Sequence, residues 1–277
     1  MLDHLSTTKS PQQCFGAIAK TYLAKKMDIA PKKMRVVSIM PCTAKKGEAG
    51  REEFSKDGQP DVDVVLTTRE FAQLLKREGI RLPKLEKGVF DNPWMGGYSG
   101  AAEIFGSTGG VMEAALRSVY YLVTGKELAN VEVHAVRGLE NIRRATVEIP
   151  GLGPVNIAVA HGLKAARTVV EQVKNNEADY HFIEVMTCPG GCICGGGQPK
   201  GKHAYHSSKQ ARQQSIYAID DKAQIRQSHN NPLIKKLYET FLGEPGGSLS
   251  HSLLHTHYAT RQRKIRHTMK EIWHEIT

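Results

Sequence analysis

The 277-residue chain holds no apolar run long enough to cross a membrane, has few aromatics (6%), and sets only 28 Asp and Glu against 38 Lys and Arg. The first shortage excludes a helical membrane span. The opening Met1-Leu-Asp-His-Leu-Ser-Thr-Thr-Lys9 has neither the apolar core nor the cleavage site of a secretory leader. Cytoplasm is therefore the expected compartment. A net charge of +10 raises nucleic acid as a partner. The scarcity of rings argues against it, because Lys and Arg are not interleaved with side chains on which bases could stack. There is also no Cys-x2-Cys pair, the spacing on which zinc modules are built. Five cysteines, an odd number with three of them clustered, do not make a disulfide framework and fit a reducing compartment. About +7 of the charge and eight of the twelve histidines fall after Pro199. That basic third suits a solvated face or an acidic protein partner, such as a small electron carrier.

What the chain does have is the run Glu184-Val-Met-Thr-Cys188-Pro-Gly-Gly-Cys192-Ile-Cys194-Gly-Gly-Gly-Gln198-Pro199. Three cysteines sit within seven residues, among five glycines and two prolines. Glycine has no side chain to bury and is costly to order, so a packed core has no use for such a segment. A metal–sulfide cluster does: its thiolates converge from a loop, and its sulfurs take N–H donors from backbone brought close. A second motif, Met40-Pro41-Cys42-Thr-Ala-Lys45-Lys46-Gly-Glu48, puts a thiol after a strand, with a cation three residues on and a carboxylate six on. A nearby Lys favours the thiolate form that binds iron. Lys45 could donate to an anionic ligand, and Glu48 could accept from that lysine.

The pattern around these motifs alternates strands and helices. Strands are expected at Met34–Met40, Asp61–Leu66, Val131–Val136, Val155–Ala160 and His181–Met186. A helix capped by Thr67 or Thr68 runs to about Glu78 and closes at Gly79. A second opens at Thr108-Gly-Gly, carries Val111, Met112, Ala115, Leu116, Val119 and Tyr120 on one face, and ends at Gly125. A third covers Leu163 to about Lys174. Strand–helix alternation with near-continuous apolar strands implies α/β layers and a largely parallel sheet. In such sheets chemistry gathers beyond the strand ends, where both Cys42 and Cys188 fall. After Pro199, residues 201–214 read as polar and irregular, Asn231 to Leu242 as a helix, and Glu244–Gly247 as a turn. Ser250 to Tyr258 reads as helical or extended, and Arg261 to Thr277 as a basic amphipathic helix.

Together the two cysteine motifs resemble those of the FeFe hydrogenases, whose Met-Pro-Cys-x-x-Lys-x-x-Glu and Met-x-Cys-Pro-Gly-Gly-Cys-x-x-Gly-Gly-Gly-Gln-Pro patterns both stand here intact. The likeness continues at Ser10-Pro-Gln-Gln13, Leu66-Thr-Thr-Arg-Glu70, Ile104-Phe-Gly106, Thr108–Arg117 and Ala135-Val-Arg-Gly-Leu139. Asn231 to Tyr258 resembles the small-subunit segment that wraps the catalytic domain, fused here to the same chain. The resemblance implies a two-lobed α/β fold, with mostly parallel sheets flanked by helices and the cluster between the lobes. It divides the chain into a cluster domain at 1–200, a small-subunit-like segment at 201–260 and a basic tail at 261–277. The implied activity is the reversible reduction of protons to H2 at an H-cluster. That cofactor is a 4Fe–4S cubane joined through a cysteine sulfur to a two-iron subcluster with carbon monoxide, cyanide and a bridging dithiolate.

By the same likeness Cys42 and Cys188 ligate the cubane and Cys192 bridges to the two-iron unit. Lys45 hydrogen-bonds a cyanide, Met40 and Met186 pack beside the two-iron unit, and Phe105 and Pro11 line its pocket. Ser6, Gln12 and Glu48 fall in segments that approach the cluster, Ser6 matching a proton-path serine. Implied partners are ferredoxin or a nicotinamide-linked electron source, and the maturation proteins that build the cluster. The chain departs from the family at its start, which lies between the family's first cysteine motif and the Ser-Pro-Gln-Gln segment. That motif would supply the fourth thiolate and the proton-passing cysteine, so Met1 resembles an internal position of a longer hydrogenase. Cys14 and Cys194 are not expected to replace the missing ligand: Cys14 reads as a small buried side chain and Cys194 as a loop variant. The competing reading is a non-catalytic relative, a hydrogen sensor or an iron–sulfur assembly factor. Such relatives commonly lose part of the second cysteine motif or the Gly-Gly-Gly-Gln run, and both are kept here.

Overall fold

Proline and serine start the first helix. Ser10 is extended at the N-cap and Pro11, whose ring presets the helical φ, takes the first turn of α1 (Pro11–Ile18). In this computed structural model, which describes residues 2–130, 132–199 and 205–260, α1 continues through one π turn into α2 (Ala24–Lys26). The chain then forms β1 (Val37–Met40), a loop with Cys42, and α3 (Ala44–Ala49). A short hairpin, β2 (Ser55–Lys56) and β3 (Gln59–Pro60), leads to β4 (Val64–Thr67), which lies parallel to β1 with Val37 opposite Val64. α4 (Thr68–Arg77) follows at once, because Thr67 and Glu70 close a reciprocal capping box. The two-stranded sheet buries Ser38, Val65 and Thr67 inward and leaves Val37, Ile39 and Val64 exposed.

The second lobe begins with α5 (Gly100–Ile104) and α6 (Gly110–Thr124), the latter stopped by Gly125 at φ +66°. β5 (Ile142–Ile149) and β6 (Gly153–His161) are antiparallel. After α7 (Leu163–Lys174), β7 (Phe182–Met186) pairs parallel with β6, His161 opposite Met186. One apolar cluster joins Met112 and Leu116 of α6 to Ile149, Ile157 and Val159. Another joins Ala158 and Ala160 to Ala165 and Val169 of α7. A strand covered by a helix on each face must be apolar throughout, which is why β6 reads as an unbroken run. α8 (Tyr205–Lys222), α9 (Pro232–Leu237), a π turn and α10 (Ser248–Leu254) complete the described chain. Ile18 and Tyr22 of the first helical stretch pack with Leu242 and Leu253, so the C-terminal segment returns to the N-terminal one.

Several expectations need correction. Residues 132–136 form no strand but a single 3-10 turn at His134–Val136. β5 was not expected, and its pairing is antiparallel, so the sheet is mixed. The stretch read as irregular over 201–214 is helical from Tyr205. The undecided stretch from Ser250 is helical to Leu254 and then extended, with His255 bridged to Thr8. The basic tail at 261–277 and residues 201–204 lie outside the described residues.

Candidate metal-cluster site

Cys42 stands two residues beyond β1 and Cys188 two beyond β7, so each parallel pair delivers one thiol from the C-terminal end of a strand. The two loops are bonded directly: Gly197 N–H donates to the Pro41 carbonyl at 2.9 Å. On its other side the cysteine loop is held by the turn before α6. Ile193 N–H donates to Gly106 O at 2.9 Å and Thr108 N–H to Gly190 O at 3.2 Å. The approach is close enough to require glycine. A Cβ on Gly195 would lie 2.1 Å from the Pro41 oxygen, and one on Gly191 would lie 2.6 Å from Thr108 N. Gly190 and Gly191 both have φ above +90°, a region that side chains strain to enter.

The thiols share one field. Burial pushes the Cys188 thiol up, the neighbouring Cys42 adds to that, and Gly196 N–H opposes it. Burial also raises Cys192, followed by Cys42 and Cys188, while the Lys45 cation pulls it back. Cys194 points elsewhere. Burial raises it, but the cations it feels are Lys209 and Arg212, and Cys188 is the one thiol that acts on it. Cys14 is remote from all of them: burial drives it to about 11, and its thiol donates to Lys9 O at 3.4 Å. Among the described residues no three His, Cys, Asp or Glu side chains gather closely enough to hold a single metal ion. Thiols that feel one another without closing on a single ion, with the Gly196 N–H on Cys188, fit a polyatomic iron–sulfur cluster.

A polar group supports Lys45. Its ammonium bonds Glu48 at 2.6 Å. Glu48 also accepts from the Ser10 hydroxyl, in a very short bond, and from Gln12 Nε2 at 3.4 Å. Gln12 Nε2 reaches the Lys45 carbonyl at 3.3 Å, and its oxygen accepts from buried Ser38 at 2.7 Å. The fold thus gathers Gln12, Lys45 and Glu48 beside the Cys42 loop. Pro11 is exposed at the head of the same helix. Met40 and Met186 are the last residues of β1 and β7, half-buried next to the two cysteine loops. Phe105 follows α5, half-buried against Ile104 and Ala114, one residue before the carbonyl that Ile193 uses. Ser6 is not joined to this group by any described bond: its oxygen accepts from Thr8 N–H at 3.3 Å, and it lines a groove along β7 with Phe182 and Val185.

Sequence reading missed three supports. Ser10 carries a signal in the sequence, because its place before a proline marks an N-cap. Glu184 gave no signal, since a carboxylate within an apolar strand reads as solvated. It is instead 5% exposed and takes Gly109 N–H at 2.6 Å and Met112 N–H at 2.7 Å, tying β7 to the start of α6. Burial pushes its carboxyl up, against those donors. His161 is buried above the cysteine loop, and burial, with Arg143 and Lys209, holds its ring below the usual pKa.

Residues 1–196 match the model of the iron-only hydrogenase large subunit, C-terminal domain. The chain belongs to the iron-only hydrogenase family. Residues 206–261 of this hydrogenase-family chain match the iron hydrogenase small subunit. It is 52% identical to the NADP-reducing hydrogenase subunit HndD of Solidesulfovibrio fructosivorans, over 95% of this chain and 44% of that one. It is 31% identical to cytosolic iron-sulfur assembly component 3 of Pongo abelii, over 93% of this chain and 54% of that one. The chain therefore spans about half the length of these curated relatives. Its fold is similar to that of the apo FeFe-hydrogenase HydA1 from Chlamydomonas reinhardtii, with a TM-score of 0.77 and 41% identity over 91% of this chain and 70% of that one. The two family models thus match successive stretches of one chain, and no helix among the described residues is long and apolar enough to cross a membrane.

Proposed function

We propose that this chain forms the thiolate-rich side of an H-cluster site and serves the reversible reduction of protons to H2. The observation that carries the proposal is that two strand ends and the Gly197–Pro41 bond bring the Cys42 loop against the Cys188–Cys192 loop, with Cys42 and Lys45 close enough to act on Cys192. Bound there, the H-cluster would supply the electron storage and the hydrogen-binding iron. Cys42 and Cys188 would hold the cubane, and the Cys192 sulfur would join it to the two-iron unit. Lys45, aimed by Glu48, would donate to an anionic diatomic ligand. Met40, Met186 and Phe105 would keep water out, and an apolar wall around polar donors tunes potential. Pro11, at the helix head, is proposed to line the pocket with Phe105, and Ser6, Gln12 and Glu48 the approach of protons. The electron source is proposed to be ferredoxin or a nicotinamide-linked partner, with maturation proteins supplying the two-iron unit, all in the cytoplasm. The intact Gly-Gly-Gly-Gln run and the higher identity to a hydrogenase subunit than to an assembly component favour catalysis over the non-catalytic reading.

The test is anaerobic loading of the chain with iron, sulfide and a synthetic two-iron precursor, read by infrared spectroscopy and H2 evolution. Carbon monoxide and cyanide bands are expected when the chain is joined to the family's first cysteine motif, which supplies the fourth thiolate, and Cys192→Ala in that protein is expected to abolish them. A joined protein that takes up iron and sulfide yet shows no bands would instead support the assembly-factor reading.

A further inference from the structure

The loop between Cys188 and Cys192 is a turn of Pro189, Gly190 and Gly191, closed by Gly191 N–H to Cys188 O at 2.9 Å. With both glycines at positive φ, nothing in this backbone is held by its own side chains. Gly190 is instead gripped at both of its polar atoms. Its carbonyl accepts from Thr108 N–H, and its N–H donates to Nδ1 of His161 at 2.7 Å. The opposite ring nitrogen, Nε2, lies 3.0 Å from Glu140 O and 3.3 Å from Leu139 O. A backbone N–H requires a bare Nδ1, and carbonyls require a proton on Nε2, so the two ends demand the same neutral tautomer. The ring is 4% exposed and caps the end of β6 opposite Met186.

We propose that His161 is a positioning residue for the cluster site: its Nδ1 holds the Gly190 N–H and so sets the separation and aim of the Cys188 and Cys192 sulfurs. This rests on the cluster reading above and deepens it. An alternative is that the ring is merely a buried histidine with its nitrogens satisfied. The distinction lies in what the bond secures, because Gly190 is buried between two ligands and its N–H would otherwise be orphaned. A turn of two glycines relieves an orphaned donor by rotating its peptide, and rotation moves the thiols on either side. The freed N–H could also turn toward the cluster sulfurs. Extra donors to sulfur stabilise the reduced, more negative cluster and raise its potential.

The test compares His161→Phe, His161→Asn and His161→Gln in the full chain. The Asn amide oxygen reaches the place of Nδ1, whereas that of Gln reaches the place of Nε2. In cluster-free protein, kept anaerobic, the alkylation rates of Cys188 and Cys192 are read by mass spectrometry with Cys14 as the internal reference. His161→Phe is expected to raise both rates about fivefold to tenfold, the scale of one net hydrogen bond, and to leave Cys14 unchanged. His161→Asn should stay near wild type and His161→Gln should not. Equal rates in wild type and Phe, or an Asn variant as fast as Gln, would overturn the proposal. Should Phe also expose Cys14 by loosening the fold, the Asn–Gln pair decides alone. After loading with iron and sulfide, the Phe variant should show a more positive cubane potential than the Asn variant. A wild-type chain that takes up no iron would sink the cluster reading, while the alkylation comparison would still judge His161.

Discussion

At the scale of single residues, the five cysteines separate by what acts on their thiols. Cys188 and Cys192 are raised by burial and then by Cys42, and Cys192 by Cys188 as well. Cys14 is raised chiefly by burial, with Lys9 pulling it down and Asp61 pushing it up, feels none of the other thiols, and bonds a carbonyl. Iron uptake should follow that division. Alanine at Cys42, Cys188 or Cys192 should lower iron retained per chain by more than the roughly 10–100-fold that loss of a supporting outer partner costs. Cys14→Ala and Cys194→Ala should retain wild-type iron, measured after desalting of anaerobically loaded protein. Retention by Cys188→Ala at the wild-type level would remove it from the ligand set. Much of this was legible in the sequence, because a ligand and its strand are neighbours in the chain. Of the partners of Glu48, Lys45 was legible and the others were not: Ser10 and Gln12 lie more than 35 positions away, and only the fold puts α1 over α3.

Elements were legible where periodicity and punctuation agreed. α4 has its capping box, α6 its glycine stop, and α7 its apolar face between two strands. β5 was missed because Arg143 interrupts its alternation; this arginine points inward and bonds Gly138 O, Glu140 O and Thr108. α8 was missed because its sequence is polar and its anchor, Arg117, belongs to a helix about a hundred residues earlier. The glycine loop joins both lobes through backbone contacts, so its tolerance of a methyl group tests the element itself. Gly195→Ala must push the Pro41 carbonyl away from a 2.1 Å approach. It should cost about 1–3 kcal/mol, as overpacking does, read as a lower denaturant midpoint. Gly47→Ala is the contrast: it sits in α3 with nothing within 4 Å of its added Cβ. It should raise stability by about 0.5–1 kcal/mol, since alanine loses less backbone freedom in a helix. Two changes of the same chemistry should therefore move the midpoint in opposite directions.

For the whole molecule, the question is what ties the segment from Tyr205 to Thr256 to the rest. At one end α10 lies on α1, with Lys9 N–H bonded to Leu254 O and Thr256 N–H to Thr7 O at 2.8 Å each. At the other end α8 is fastened by charge. Asp220 meets Arg117 at 2.8 Å and Arg226 at 2.6 Å, and Arg117 also meets Glu113, with the Arg117, Glu113 and Asp220 side chains 0% exposed. Burial alone would raise the Asp220 carboxyl, but the bonds from Arg117 and Arg226 outweigh it and hold the group below its ordinary 3.8. A carboxyl lowered on folding stabilises the native state at pH above its unfolded value, and that contribution is lost as pH falls through the folded one. The clasp should therefore be complete near neutrality and fail in acid below about pH 4. Asp220→Asn should cost about 3–5 kcal/mol at pH 7, the penalty for leaving a buried charge short of its partner. Its denaturant midpoint should also fall less steeply than that of wild type between pH 5 and 3, because the titrating group is gone. Parallel acid limbs in the two proteins would mean that the link between the segments is carried by the apolar contacts of Ile18, Tyr22, Leu242 and Leu253 and not by this charge cluster.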